Sequence, residues 1–121
     1  MKNDRILVVE DDQDGQELVA RLLSYHKIPF HIVFNAEDAL EALTQGRYTG
    51  AIFDLSLPGM DGWSLLEMVK SNPDTYNLPC VAITAYHSAE LAVKAIEAGF
   101  AAYFSKPLES TSFVRELQRV L

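Results

Sequence analysis

Gly50-Ala51-Ile52-Phe53-Asp54-Leu55-Ser56-Leu57-Pro58-Gly59-Met60-Asp61-Gly62 is the stretch that decides the fold. Ala51, Ile52 and Phe53 form an apolar run of the kind found in strands buried on both faces. The run stops on a carboxylate, Asp54. A loop follows whose Pro58-Gly59 and Asp61-Gly62 pairs are strong turn signals. An acid at the carboxyl end of a central strand costs stability unless something pairs it or uses it. The remainder of the chain reads most simply as what surrounds Asp54.

Towards the amino terminus, Ile6-Leu7-Val8-Val9 is a second apolar, β-branched run, and it too ends in acids: Glu10, Asp11 and Asp12. Leu18, Val19, Leu22 and Leu23 then recur as one face of a helix, with Asp12 or Asp14 available to cap it and Pro29 closing the unit. Phe30 to Phe34 reads as a strand nearer an edge, because His31 interrupts it. Asn35 offers a cap for a helix holding Ala36, Ala39, Leu40 and Leu43 that stops at Gly46.

Beyond Gly62, Leu65, Leu66, Met68 and Val69 carry a helical pattern broken at Ser71-Asn72-Pro73. Cys80 to Ile83 is a further buried strand, ending on Thr84. Ser88 can cap a helix with Leu91, Ala92, Ala95 and Ile96 that stops at Gly99. Ala101 to Phe104 is a fifth strand, followed by Ser105, Lys106 and Pro107. The last helix carries Phe113, Val114, Leu117, Val120 and Leu121. Five alternations of strand and helix, with mostly unbroken apolar strands, call for an α/β fold: a parallel sheet with helices on both faces.

The 121 residues suit one domain, 1–121, with 49% hydrophobic and 22% charged residues, ordinary for a globular chain. Ten basic against seventeen acidic residues give a formal charge of −7, with no basic cluster for phosphate contacts, so direct nucleic-acid binding is not expected. Cys80 is the one cysteine, so no internal disulfide is expected and the residue reads as packing. The apolar run after Met1-Lys2-Asn3-Asp4-Arg5 is too short for a signal peptide, and no stretch approaches the ~20 apolar residues of a membrane span. The expected location is the cytoplasm, without a membrane partner. His26, His31 and His87 share no ligand spacing. Met60, Trp63 and Met68 read as packing, and Asp61 as a residue that shapes its turn.

In a parallel sheet all carboxyl ends share one edge. Glu10-Asp11, Asp54, Thr84 and Lys106 therefore converge although they are far apart in sequence. Carboxylates gathered there would repel unless they shared a cation, and an oxygen-only set suits a hard ion, Mg2+ before Zn2+. Thr84 adds a hydroxyl and Lys106 a positive charge. With a metal they would neutralise a multiply charged group such as a phosphoryl group.

Val9-Glu10-Asp11, Asp54 with Leu57-Pro58-Gly59-Met60-Asp61-Gly62, Thr84-Ala85, and Lys106-Pro107 with Tyr103 three positions earlier together resemble a response-regulator receiver domain of two-component signalling, of the chemotaxis-regulator type. The resemblance runs from the first strand to the last helix. It implies a doubly wound, flavodoxin-like αβα fold with five parallel strands in the order 2-1-3-4-5 and a site at the switch point between strands one and three. It implies that Asp54 is the phosphoacceptor, attacking a phosphohistidine on a sensor histidine kinase or a histidine phosphotransfer protein. Glu10, Asp11, Asp54 and the backbone carbonyl of Ser56 would hold Mg2+. Thr84, Ala85 through its backbone, and Lys106 would bind the phosphoryl oxygens. Tyr103 would turn inward behind Thr84 and repack the surface of the fourth helix, fifth strand and fifth helix for a downstream protein, with a phosphorylation-dependent dimer as one outcome. A cis Lys106–Pro107 bond is also implied.

Ser56 and Tyr86, two beyond Asp54 and Thr84, occupy positions that the resemblance implies tune phosphoryl lifetime; a bulky Tyr86 shielding the site predicts slow self-dephosphorylation. The protein is thus expected to be a signalling phosphoacceptor, not an enzyme in the ordinary sense. Three alternatives are weaker. An aspartate-nucleophile phosphohydrolase needs a second acid where Ser56 stands. A flavin or nucleotide binder needs a phosphate cradle where the first loop has acids. A scaffold that never accepts phosphate leaves the acid set unexplained.

Overall fold

The computed structural model describes residues 5–86 and 88–120. Met1-Lys2-Asn3-Asp4, His87 and Leu121, which entered the sequence reading, lie outside the described residues. Strands β1 (Arg5–Val9), β2 (Phe30–Val33), β3 (Tyr48–Asp54), β4 (Cys80–Thr84) and β5 (Ala102–Ser105) alternate with helices α1 (Gln13–Tyr25), α2 (Ala36–Gln45), α3 (Gly62–Ser71), α4 (Ala89–Ala98) and α5 (Ser110–Val120). The strands form one parallel sheet in the order β2-β1-β3-β4-β5. β2, with His31 in it, is at an edge, and β3 lies at the centre.

Period-two alternation along the inner strands explains why helices cover both faces. Leu7, Val9, Ala51, Phe53, Cys80 and Ala82 point to one side, where α2, α3 and α4 pack through Ala36, Ala39, Leu65, Leu66, Val69 and Ala95. Ile6, Val8, Ile52, Val81 and Ile83 point to the other, where α1 and α5 contribute Val19, Leu23, Phe113, Val114 and Leu117. Phe53 is fully buried and meets Phe100 edge-on, with ring centroids 6.2 Å apart.

Helix starts follow local chemistry. Asp12, Asn35, Asp61 and Ser88 each sit in extended backbone and accept a hydrogen bond from the backbone N–H three residues on. Asp61 is therefore the cap of α3 as well as part of the turn. Gly99 ends α4 in the left-handed region, at φ 119°. Four boundaries differ from the sequence reading. β3 begins at Tyr48, because Tyr48 and Gly50 pair with Arg5 and Ile6 before the apolar run starts. β2 stops at Val33, leaving Phe34 exposed. β5 runs from Ala102 to Ser105, one residue later than expected, and pairs Ser105 with Thr84. α1 ends at Tyr25, its chain reversing through Lys27 at φ 60° ahead of Pro29.

Candidate functional site

The sheet delivers the predicted residues to one edge. Asp54 is the last residue of β3 and Thr84 the last of β4; Glu10 follows β1 and Lys106 follows β5. Glu10 and Thr84 are almost wholly buried and Asp54 is 5% exposed, whereas Asp11 faces solvent. One carboxylate oxygen from each of Glu10, Asp11 and Asp54 falls within a set whose members all lie within 4.8 Å of one another.

Lys106 holds this acid cluster together. Its Nζ donates to Asp54 Oδ2 at 2.9 Å and lies 2.9 Å from Glu10 Oε1 as a charge contact. The other oxygen of Asp54, Oδ1, accepts from the N–H of Ser56 at 2.9 Å, and Glu10 Oε2 accepts from the N–H of Asp12 at 3.2 Å. Burial holds the Glu10 carboxyl above the usual carboxylate range, with Lys106 pulling against that effect and Asp54 adding to it. Burial disfavours the Lys106 ammonium, but hydrogen bonds and charge from Glu10 and Asp54 outweigh it and keep the lysine above its ordinary value. The cluster thus carries more buried negative charge than one lysine satisfies. That imbalance, with donors that are all oxygen, fits a hard divalent cation such as Mg2+, which binds through one or two carboxylates and keeps part of its water shell.

The remaining predicted residues line the rim. Thr84 Oγ1 accepts from the N–H of Tyr86 at 3.1 Å, and the N–H of Lys106 donates to the carbonyl of Thr84 at 2.7 Å, so β4 and β5 are tied together at the site. Ser56 and Ala85 are exposed beside it. Tyr86 is 72% exposed. Tyr103 is half-buried and its hydroxyl donates to the carbonyl of Tyr86 at 3.4 Å. Lys106–Pro107 is cis, as expected.

Three further residues shape the site: Gly62, legible in the sequence only as part of a turn, and Gly15 and Gln16, which the sequence did not single out. A Cβ on Gly62 would lie 2.5 Å from the carbonyl oxygen of Asp54, so only glycine lets α3 start this close to the end of β3. Gly15 is similarly close to the carboxylate of Glu10, and Gln16 Nε2 donates to the carbonyl of Glu10 at 2.6 Å. A glycine inside a predicted helix, four residues after an acid pair, was the available signal for Gly15.

Residues 6–118 match the response regulator receiver domain family, and the chain belongs to it. It is 30% identical over 122 residues to the chemotaxis protein CheY-3 of Vibrio cholerae, covering 98% of this chain and 92% of that one. It is 34% identical over 116 residues to the transcriptional regulatory protein HprR of Escherichia coli, covering 96% of this chain but 49% of that protein. The fold superposes with a TM-score of 0.87, at 25% identity, on the receiver domain of sensor histidine kinase PA1611 from Pseudomonas aeruginosa, covering 98% and 97% of the two chains. That crystal structure is described as having a magnesium ion coordinated in its active-site cleft. The chain is a receiver domain of two-component signalling systems, a signalling phosphoacceptor class that works with histidine kinases or phosphotransfer proteins and binds Mg2+. Among the described residues no helix is long and apolar enough to cross a membrane.

Proposed function

We propose that residues 1–121 act as one phosphoacceptor unit in which Asp54 takes a phosphoryl group from a phosphohistidine of a sensor kinase or phosphotransfer protein. The observation that carries this reading is the convergence of Glu10, Asp11 and Asp54 within 4.8 Å, with Lys106 Nζ 2.9 Å from two of them. A carboxylate oxygen of Asp54 attacks phosphorus; the new O–P bond forms as the P–N bond breaks, and the leaving imidazole keeps the electron pair and takes up a proton.

Glu10, Asp11, Asp54 and the carbonyl of Ser56 would hold Mg2+, which when bound supplies positive charge to the transferring oxygens. Lys106 is already tethered to Asp54 and follows the same charge onto the phosphoryl group. Thr84 exchanges its bond from the Tyr86 N–H for one to a phosphoryl oxygen, joined by the backbone of Ala85. Because Tyr103 holds the Tyr86 carbonyl, that exchange reaches β5 and the neighbouring faces of α4 and α5, where a downstream protein or a second copy would read it.

The same residues promote the domain's own phosphotransfer and dephosphorylation. The exposed rim position of Tyr86 leaves its ring free to cover the acyl phosphate, supporting a long phosphoryl lifetime. Tyr86→Ala should shorten that lifetime; an unchanged decay would remove Tyr86 from the account. Ser56 in place of a second acid supports this reading over a phosphohydrolase, the formal charge of −7 supports a role without direct nucleic-acid contact, and family membership supports a cytoplasmic one.

The test is beryllofluoride with Mg2+, followed by backbone amide spectra. Shifts at Thr84, Ala85 and Lys106 are expected in the native chain and not in Asp54→Ala. Equal shifts in both, or none in the native chain, would refute the assignment.

A further inference from the structure

We infer that Gly15 is a positioning residue for Glu10, its missing side chain being what allows a glutamate to serve at the first acid position of this site; this rests on the metal-binding reading above. Gly15 lies in the first turn of α1, where its N–H donates to Asp12 Oδ2 at 2.9 Å. A Cβ there would stand 2.8 Å from both Cδ and Oε1 of Glu10 and 3.1 Å from Oε2. At 2.8 Å something must shift, and even 3.1 Å asks the neighbour to give by a few tenths of an ångström.

Glu10 has little room to yield. Its side chain is fully buried, with Lys106 Nζ 2.9 Å from Oε1 and the Asp12 N–H 3.2 Å from Oε2, while Gln16 anchors its carbonyl at 2.6 Å. The carboxylate is wedged between the first turn of α1 and the lysine. A methyl group on residue 15 would drive it away from α1, off the Asp12 N–H and out of register with Asp11 and Asp54.

The backbone itself does not ask for glycine. Residue 15 is helical, where alanine is the better former. The requirement is therefore steric, and it depends on the length of the side chain at position 10. Shortening that acid by one methylene withdraws the carboxylate and removes the conflict. Gly15 and Glu10 act as a matched pair that sets where the first metal-binding oxygen lies.

The experiment is a double-mutant cycle with Gly15→Ala, Glu10→Asp and the double variant, read by Mg2+ titration calorimetry and by thermal unfolding in chelator. In the native background Gly15→Ala should weaken Mg2+ binding about tenfold, the scale of losing a group that orients a ligand. In the Glu10→Asp background the same change should leave Mg2+ affinity within about twofold and raise the melting temperature, as alanine for glycine in a helix does. A Gly15→Ala chain that fails to fold and is rescued by Glu10→Asp is the same coupling in stronger form. Equal effects of Gly15→Ala in the two backgrounds, on affinity and melting alike, would overturn the inference. A native chain that binds no Mg2+ would instead overturn the metal reading, while the chelator melts would still report whether residues 10 and 15 are coupled.

Discussion

Lys106 is the residue on which the resting site depends. Its ammonium answers two buried carboxylates at once, and its side chain is 23% exposed. Lys106→Ala leaves those charges without their cation, and breaking a buried pair from one side is far more costly than never forming it. The expected loss in metal-free urea unfolding is about 2–3 kcal/mol, at or below the low end for buried pairs because water reaches the lysine. Mg2+ should restore much of it, since both cations serve the same oxygens; an unaffected midpoint in chelator would show that the carboxylates find another partner. At this scale the sequence was legible wherever a polar residue ended an apolar run. Glu10, Asp11, Asp54, Thr84 and Lys106 were found that way. Gly15 was not, and Gly62 was legible only as part of a turn, because what makes them necessary is a close approach between elements that no local pattern encodes.

At the scale of elements, the start of α3 and the middle of the sheet each make a prediction. Gly62→Ala places a methyl group against the carbonyl of Asp54, and overpacking of that kind should cost about 1–3 kcal/mol in denaturant unfolding, with an unchanged m value. A neutral outcome would mean that α3 can shift without the site noticing. Cys80, the first residue of β4, has its thiol pushed up to about 12 by burial, with Lys70 opposing weakly. A raised pKa means that the neutral thiol's contribution to stability is intact below about 9 and is lost as pH rises towards 12. At pH 8 roughly one molecule in ten thousand would carry the reactive thiolate, so iodoacetamide should label Cys80 only after unfolding. Rapid labelling of the native chain would contradict this burial. Element type and order followed from the alternation of apolar strands with helical spacing. Boundaries were less legible where the sheet overrode composition: Tyr48, Thr49 and Gly50 lack an apolar pattern and Thr49 is exposed, yet pairing with β1 extends the strand through them.

For the whole molecule, order β2-β1-β3-β4-β5 puts β1 and β3 side by side, so chain segments over forty residues apart in sequence build one acid cluster, the proposed Mg2+ site. Mg2+ should therefore stabilise the fold as a unit. At a concentration one hundred times its dissociation constant the gain is about 2.7 kcal/mol, and Asp54→Ala should forfeit most of it. Membership of the receiver family and the fold were both readable from the strand ends; which protein reads the switch was not, because that surface is defined by a partner. Asp54 as the phosphoacceptor is tested by intact mass after incubation with acetyl phosphate. One added phosphoryl group is expected, requiring Mg2+ and absent in Asp54→Ala. Modification without Mg2+, or modification that persists in Asp54→Ala, would contradict it.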